Sequence, residues 1–256
     1  MKPAPDNSSR VVVVTGGGRG LGAAISGAFH AAGDRVVIAS RTNHGLAAAL
    51  GSNACYVACD ISSVASIQRA MADAAAWGGR IDVLVNNAGS SGWRAIENID
   101  EAFWSSMVDT NLKGTLFATQ AAVRHMPPGG VIVNVSSLAG KRGSARNAVY
   151  CAAKFGVNGL TQALAKELGP KGIRVNAVCP VYVETEGLQE ALSTADAPPA
   201  GQPIPEYLKD FARTQSALGR LPRAEEVAAA CVMLASPAAS AITGQCLNVD
   251  CGVLPQ

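Results

Sequence analysis

The sequence predicts an α/β fold, a single doubly wound parallel sheet of about seven strands with helices on both faces. Three observations predict it. Short β-branched runs alternate with alanine-rich stretches of helical length, the pattern of βαβ units around a parallel sheet. The first apolar run ends in the glycine-rich segment Thr15 to Gly22 and passes directly into a helical stretch, as a nucleotide-binding βα turn does. The chain has 256 residues and a mass of 26.0 kDa, the size of one such core, so residues 1–256 are expected to form one domain.

Taken in order, Val11 to Thr15 reads Val-Val-Val-Val-Thr, the composition of a strand covered on both faces. Leu21 to Ala32 has the length and alanine content of a helix. Strands are predicted next at Arg35 to Ser40 and Ala54 to Cys59, a helix at Val64 to Trp77 and a strand at Ile81 to Asn86. Glu101 to His125 is helical in composition and long enough for two helices. Gly130 to Ser136 and Ile173 to Cys179 read as strands on either side of a helix at Val149 to Leu168. Ala224 to Ala235 and Gln245 to Asp250 supply a last helix and strand. One segment breaks this rhythm. From Ala195 to Pro205 the chain carries Pro198, Pro199, Pro203 and Pro205 with Gly201, too many prolines for a regular element. It follows a strand's carboxyl end, where ligands bind in open sheets, so residues 187–215 read as a mobile substrate lid or as a solvated surface loop.

Composition narrows the function classes. A net charge of +2 with 16% charged residues provides neither a basic face for nucleic acid nor a polybasic cluster for anionic membrane. Met1 to Arg10 is polar, with two prolines and no apolar core. It is expected to be neither signal peptide nor anchor, with residues 1–9 disordered. Apolar runs such as Val11 to Val14 are far too short to span a bilayer. The seven cysteines, 55, 59, 151, 179, 231, 246 and 251, contain no CxxC pair and fit a reducing compartment, so a soluble cytoplasmic protein is expected. His30, His44 and His125 share no ligand spacing, so no metal is expected and each reads as a surface or cap residue.

The glycine spacing Thr-Gly-x-x-x-Gly-x-Gly, with Gly16, Gly20 and Gly22, follows a strand and opens a helix. Backbone amides and the helix dipole there can face a pyrophosphate, which makes the domain Rossmann-type. Candidate cofactor contacts in this loop are Thr15, Gly16, Gly18, Arg19, Gly20, Leu21 and Gly22. Where an acidic residue would bind the adenosine ribose, the second strand ends in Ser40-Arg41-Thr42. A guanidinium at Arg41 can hold a 2′-phosphate through bidentate, charge-assisted bonds, and Arg19 adds a second cation. NADP(H) is therefore favoured over NAD(H), with Ser40 and Arg41 added to the site.

Tyr150 and Lys154 stand four positions apart, one helical turn, so phenol and ammonium share a face. A free tyrosine titrates near ~10 and a useful acid at neutral pH must lose about three units, roughly 4 kcal/mol. One positive charge at ~4 Å, at an effective dielectric near ~20, supplies about that much. The pair, thirteen residues after Ser137, points to hydride-transfer chemistry with an activated tyrosine.

These motifs, in this order, resemble the short-chain dehydrogenase/reductase family from about Arg10 to about Gly252. Between the loop and the tyrosine come Asp60-Ile61, Asn86-Asn87-Ala88-Gly89 and Asn111 within Thr110-Asn111-Leu112-Lys113-Gly114. The resemblance implies that Asp60, beside Ile61, binds the adenine amino group. It implies that the segment Asn86 to Gly89 borders the cofactor, Asn86 within the site and Asn87 as support, with Ala88 and Gly89 alongside. It makes Asn111, Ser137, Tyr150 and Lys154 the catalytic set. Ser137 would bond the substrate oxygen and Tyr150 exchange its proton. Lys154 would hold the nicotinamide ribose and lower the phenol's pKa, and Asn111 would position a water. Pro180, the Val183 backbone and the Thr185 hydroxyl would border the carboxamide. Val181 stands where the family usually has glycine and cannot comfortably take a positive φ, so the turn must be ordinary or reshaped. Cys251 likewise replaces a glycine. Helices Glu101 to His125 and Val149 to Leu168 resemble those that pair subunits, usually into homotetramers.

Substrate remains open between two classes. The strings Leu138 to Gly143 and Asn176 to Pro180 look similar to those of 3-oxoacyl-carrier-protein and polyketide ketoreductases, which favours a 3-oxoacyl thioester or similar ketone. Sugar and polyol dehydrogenases share most of the same motifs. Ser90 to Arg94, residues between Ser137 and Tyr150, and Tyr182 to Leu188 would line the pocket. Trp93 reads either as a cover over an apolar substrate or as packing, and Lys141, Arg142 and Arg146 as an acid-attracting or a solvated patch. A non-catalytic NADP(H)-binding sensor is the reading from another class, opposed by the complete set Asn111, Ser137, Tyr150 and Lys154.

Overall fold

The computed structural model describes residues 9–255, so the expectation for the N-terminal residues lies, Ser9 excepted, outside the described residues. Seven strands form one sheet: β1 Val11–Thr15, β2 Arg35–Ser40, β3 Ala54–Ala58, β4 Val83–Asn86, β5 Val131–Val135, β6 Arg174–Pro180 and β7 Cys246–Val249. Their spatial order is β3-β2-β1-β4-β5-β6-β7, and every pairing is parallel. Val12 of β1 pairs with Val36 on one side and Val83 on the other. The chain order reverses between β1 and β4, and that is where an open parallel sheet leaves a crevice beyond its carboxyl ends.

Burial on both faces explains the all-valine β1. Val11 and Val13 join Leu84, Ile132 and Val175 in one core, closed by α3 (Val64–Gly78), α5 (Gly114–Val123) and α6 (Ala148–Leu168). Val12 and Val14 join Val36, Val85 and Val133 in the other, closed by α1 (Gly20–Ala31) and α9 (Ala224–Ala235). Alternate side chains along one strand thus feed two cores. Two buried asparagines cross-link the interior: Asn86 Nδ2 donates to Thr119 and Asn134, and Asn134 Nδ2 to Thr161.

The predicted helix Glu101 to His125 divides. After α4 (Glu101–Val108) the chain makes a π-helical turn over Asp109–Lys113 before α5. Such a turn offsets one residue from its neighbours, and the residue at its centre is Asn111. Three helices were not read from the sequence: α2 (Leu46–Leu50), α7 (Glu186–Leu192) and α8 (Ile204–Gln215). Pro203 caps α8 and Pro205 lies in its first turn, where a missing N–H costs nothing. Two of the four clustered prolines therefore begin a helix. The irregular part of residues 187–215 is confined to the turns between α7 and α8.

Candidate active site

At the crevice, Gly16 and Gly20 hold φ of 63° and 52°, backbone that glycine adopts without a Cβ penalty. A Cβ on Gly22 would overlap the Gly16 carbonyl, so α1 starts pressed against the loop. Arg19, with extended backbone, caps α1 without a side-chain bond, which leaves the first N–H groups facing outward for an anion. Thr15 and Asn87 brace the loop from below. The Thr15 hydroxyl accepts from the Asn87 and Ala88 amides and donates to the Val85 carbonyl, while Asn87 Nδ2 donates to the Thr15 and Gly16 carbonyls. Asn86 Nδ2 is instead bonded to Thr119 and Asn134 in the core, so of the two asparagines it is Asn87, the expected support, that reaches the loop.

Leu21 lies half-buried at the start of α1 against the core under that face. Ser40 Oγ donates to the Thr42 carbonyl at 2.9 Å, and Arg41 is exposed at the rim. A Cβ on Gly18 would stand 3.1 Å from His44 Cδ2 and 3.4 Å from Ser40 Oγ. His44 thus closes on the same corner, a neighbour that no sequence spacing disclosed. Arg19 Nη1 lies 3.6 Å from Glu190 Oε1 of α7, both well exposed. Asp60 bonds the Ser62 hydroxyl and amide, and those bonds, with Arg41 nearby, hold its carboxyl below the usual range. Ile61 is buried against Gly114 at the start of α5. The cradle, the open helix start and the rim cations fit a nicotinamide dinucleotide.

Toward β5 and β6 the catalytic candidates converge. Ser137 follows β5 and Tyr150 and Lys154 lie on α6. The Ser137 hydroxyl stands near enough to the Tyr150 phenol to pull its pKa down. Lys154 is buried, with Nζ 2.9 Å from the Val135 carbonyl and 5.6 Å from the centroid of the Tyr150 ring. Asn111 Nδ2 donates to the Ser90 and Met107 carbonyls at 2.8 and 2.9 Å, and its buried Oδ1 has no partner. A Cβ on Gly89 would meet Asn111 Oδ1 at 2.8 Å and Lys154 Nζ at 3.7 Å, so Gly89 keeps a small gap between those two groups.

The expectation that Lys154 lowers the phenol's pKa needs correction for this state. Protein crowding pushes Tyr150 up to about 12, against the pull of the Ser137 hydroxyl, although part of the ring stays open to the cleft. Burial also drives Lys154 down to about 8. Desolvation disfavours both charged forms and is the leading cause of both shifts.

Val183 is buried and Pro180 ends β6. Thr185 caps α7 by accepting from the Leu188 amide at 3.2 Å, and its methyl side stands beside Gly20. Val181 is absent from the residues with positive φ, so the turn uses ordinary backbone in place of the usual glycine geometry. Cys251 does hold a left-handed φ of 55°. Beyond Tyr150 opens a cleft of about 560 Å³ lined by residues of the three predicted segments and by α8. Asp196, between α7 and α8, accepts from the Ala95 amide at 3.2 Å and lies 3.6 Å from Arg146 Nη1. Arg146, with φ 58°, in turn accepts from the Arg94 amide at 2.6 Å. This latch between three segments was also not legible in the sequence.

A family model described as enoyl-(acyl carrier protein) reductase matches residues 16–254. The chain is 38% identical over 251 residues to D-threitol dehydrogenase of Mycolicibacterium smegmatis, covering 95% of this chain and 92% of the relative. It is 36% identical over 261 residues to a 3-oxoacyl-[acyl-carrier-protein] reductase of Chlamydia muridarum, covering 96% and 97%. A crystal structure of a variant of actinorhodin polyketide ketoreductase with NADPH superposes with a TM-score of 0.89 at 33% identity, over 98% of this chain and 99% of that one.

Proposed function

The chain belongs to the short-chain dehydrogenase/reductase family of oxidoreductases, and from that premise we propose that it is an NADP(H)-dependent enzyme interconverting a ketone and a secondary alcohol. The single observation that carries this reading is the convergence of Ser137, Tyr150 and Lys154 beside a glycine cradle at the sheet's reversal point. Gly16 to Gly22 would hold the pyrophosphate, and Arg41 with Arg19 the 2′-phosphate. That the structural relative was crystallised with NADPH supports the cofactor choice. A dinucleotide seated there supplies or accepts the hydride.

The protein's own part is proton management at oxygen. Ser137 and Tyr150 receive the substrate oxygen, and as negative charge builds on it the phenol donates its proton. A phenol at about 12 is fully protonated at neutral pH, the state that reduction needs. In the alcohol-to-ketone direction Tyr150 must first lose its proton, so that direction is favoured by alkali. Lys154 is placed to offset the phenolate charge, and Asn111 Oδ1 offers an acceptor for a water beside it.

Among ketones we favour a 3-oxoacyl thioester or similar substrate, supported by the relationship to the 3-oxoacyl reductase. The D-threitol dehydrogenase relative keeps a polyol substrate as the second reading. The segment 187–215 acts as a lid over the cleft, supported by the Asp196 latch. Half-exposed Trp104 on α4 and Phe155 on α6 support pairing of subunits toward a homotetramer, and the composition supports a cytoplasmic location. Following nicotinamide absorbance with an acyl thioester and a polyol panel, each with NADP(H) and NAD(H), tests the reading. Turnover of none of them with either cofactor would favour the sensor.

A further inference from the structure

Six buried side-chain polar atoms among the described residues lack a partner, and two of them, Trp93 Nε1 and Asn147 Oδ1, belong to residues lining the substrate cleft. Trp93 is 6% exposed and Asn147 5%, so neither group is satisfied by open solvent. Two other pairs of polar groups around the cleft are already engaged. The Tyr182 and Tyr207 hydroxyls face each other at 3.3 Å, and Arg146 and Asp196 form their ion pair. Asn147 caps α6 without a side-chain bond and precedes Tyr150 by three positions, about one helical turn. Asn147, Trp93 and Tyr150 all line the same cleft.

From this arrangement we infer that Trp93 and Asn147 form a subsite for a hydroxyl group on the substrate, near the carbonyl that Tyr150 serves. The indole N–H can only donate and the amide oxygen can only accept. A hydroxyl satisfies both, whereas a second carbonyl or a thioester oxygen satisfies the indole alone. The substrate class is a hydroxyketone or its diol, with an apolar body against the Tyr182–Phe211 pair, whose ring centroids are 4.9 Å apart. A site whose buried polar groups await a hydroxyl discriminates strongly against the analogue without it, because that analogue leaves them unpaired. This rests on the ketone–alcohol reading and deepens its polyol branch over the 3-oxoacyl thioester.

The test compares kcat/KM for cyclohexanone, 2-hydroxycyclohexanone and 3-hydroxycyclohexanone with NADPH, in the parent protein and in Trp93→Phe and Asn147→Leu. The parent should prefer at least one hydroxyketone by roughly tenfold or more. Each substitution, which keeps bulk and removes one polar partner, should bring that ratio to within about twofold of unity. A parent ratio near one for both hydroxyketones overturns the inference, even if the variants fail to fold, and so does a ratio that survives both substitutions. If no ketone turns over, calorimetric titration of the three into the enzyme with NADPH reads the same ratio as affinities. That outcome would count against the ketone–alcohol reading while the subsite is judged separately.

Discussion

Lys154 stands 5.6 Å from the centroid of the Tyr150 ring and donates to the Val135 carbonyl at 2.9 Å, so the two functional groups of α6 are neighbours without being bonded to each other. Burial sets their protonation in opposite senses, raising the phenol and lowering the ammonium. This is the arrangement of a site built to work with charge that it does not itself neutralise.

That depression of Lys154 carries a stability signature. Its folded pKa of about 8 lies below the ordinary 10.5, so between those values the unfolded chain binds more protons and stability rises with pH. As pH falls through about 8 that contribution is lost. Lys154→Met should flatten the increase in unfolding free energy between pH 8 and 10, measured by urea titration at several pH values, and should remove turnover. A slope equal to the parent's would show that the lysine is not depressed.

Arg41 is exposed at the rim beside Ser40, with no carboxylate at the end of β2. A charge-assisted bond to phosphate is worth about 1.5–3 kcal/mol. Arg41→Ala should therefore raise KM for NADPH by roughly 10- to 100-fold and leave KM for NADH little altered. Steady-state kinetics with both cofactors check this, and equal effects on the two would remove Arg41 from 2′-phosphate recognition.

Asp196 ties the turns between α7 and α8 to Ala95 and Arg146. The ion pair is long and partly exposed, so its own contribution is small, and the amide bond to the carboxylate matters more. Asp196→Ala should raise KM for the ketone by roughly 3- to 10-fold, change kcat less and leave cofactor KM unaltered. Unchanged ketone KM would mean that the segment does not close over substrate.

Cys251 holds φ of 55° without being glycine. A left-handed residue with a Cβ costs about 1–2 kcal/mol, and glycine's extra unfolded freedom takes back about 0.5–1. Cys251→Gly should thus stabilise by up to about 1 kcal/mol and raise Tm by roughly 2–4 °C for a chain of this size. Calorimetry decides, and a lowered Tm would show that the thiol's packing outweighs the strain.

The sheet was legible because β1, β2 and β4 to β6 are buried on both faces and read as predominantly apolar runs. Glycine spacing and the Tyr150/Lys154 interval were equally plain, since both depend on local geometry. Helix α8 was missed because prolines that break a helix interior also begin one at Pro203 and Pro205. The roles of Asn86 and Asn87 turn on where each side chain is bonded, and the spacing of two adjacent asparagines does not disclose it. His44 against Gly18, and Asp196 against Ala95, are contacts between distant segments that only the folded chain brings together. The protonation of Tyr150 was misjudged for a related reason: one neighbouring charge was visible in sequence, while the desolvation opposing it was not.

The central claim is most directly tested by incubating the enzyme with a ketone and NADPH deuterated on C4, then locating the label by mass spectrometry. The account predicts one deuterium on the carbinol carbon in the parent protein and a loss of roughly 100-fold or more in rate in Tyr150→Phe. Unlabelled alcohol, or a Tyr150→Phe enzyme as fast as the parent, would contradict it.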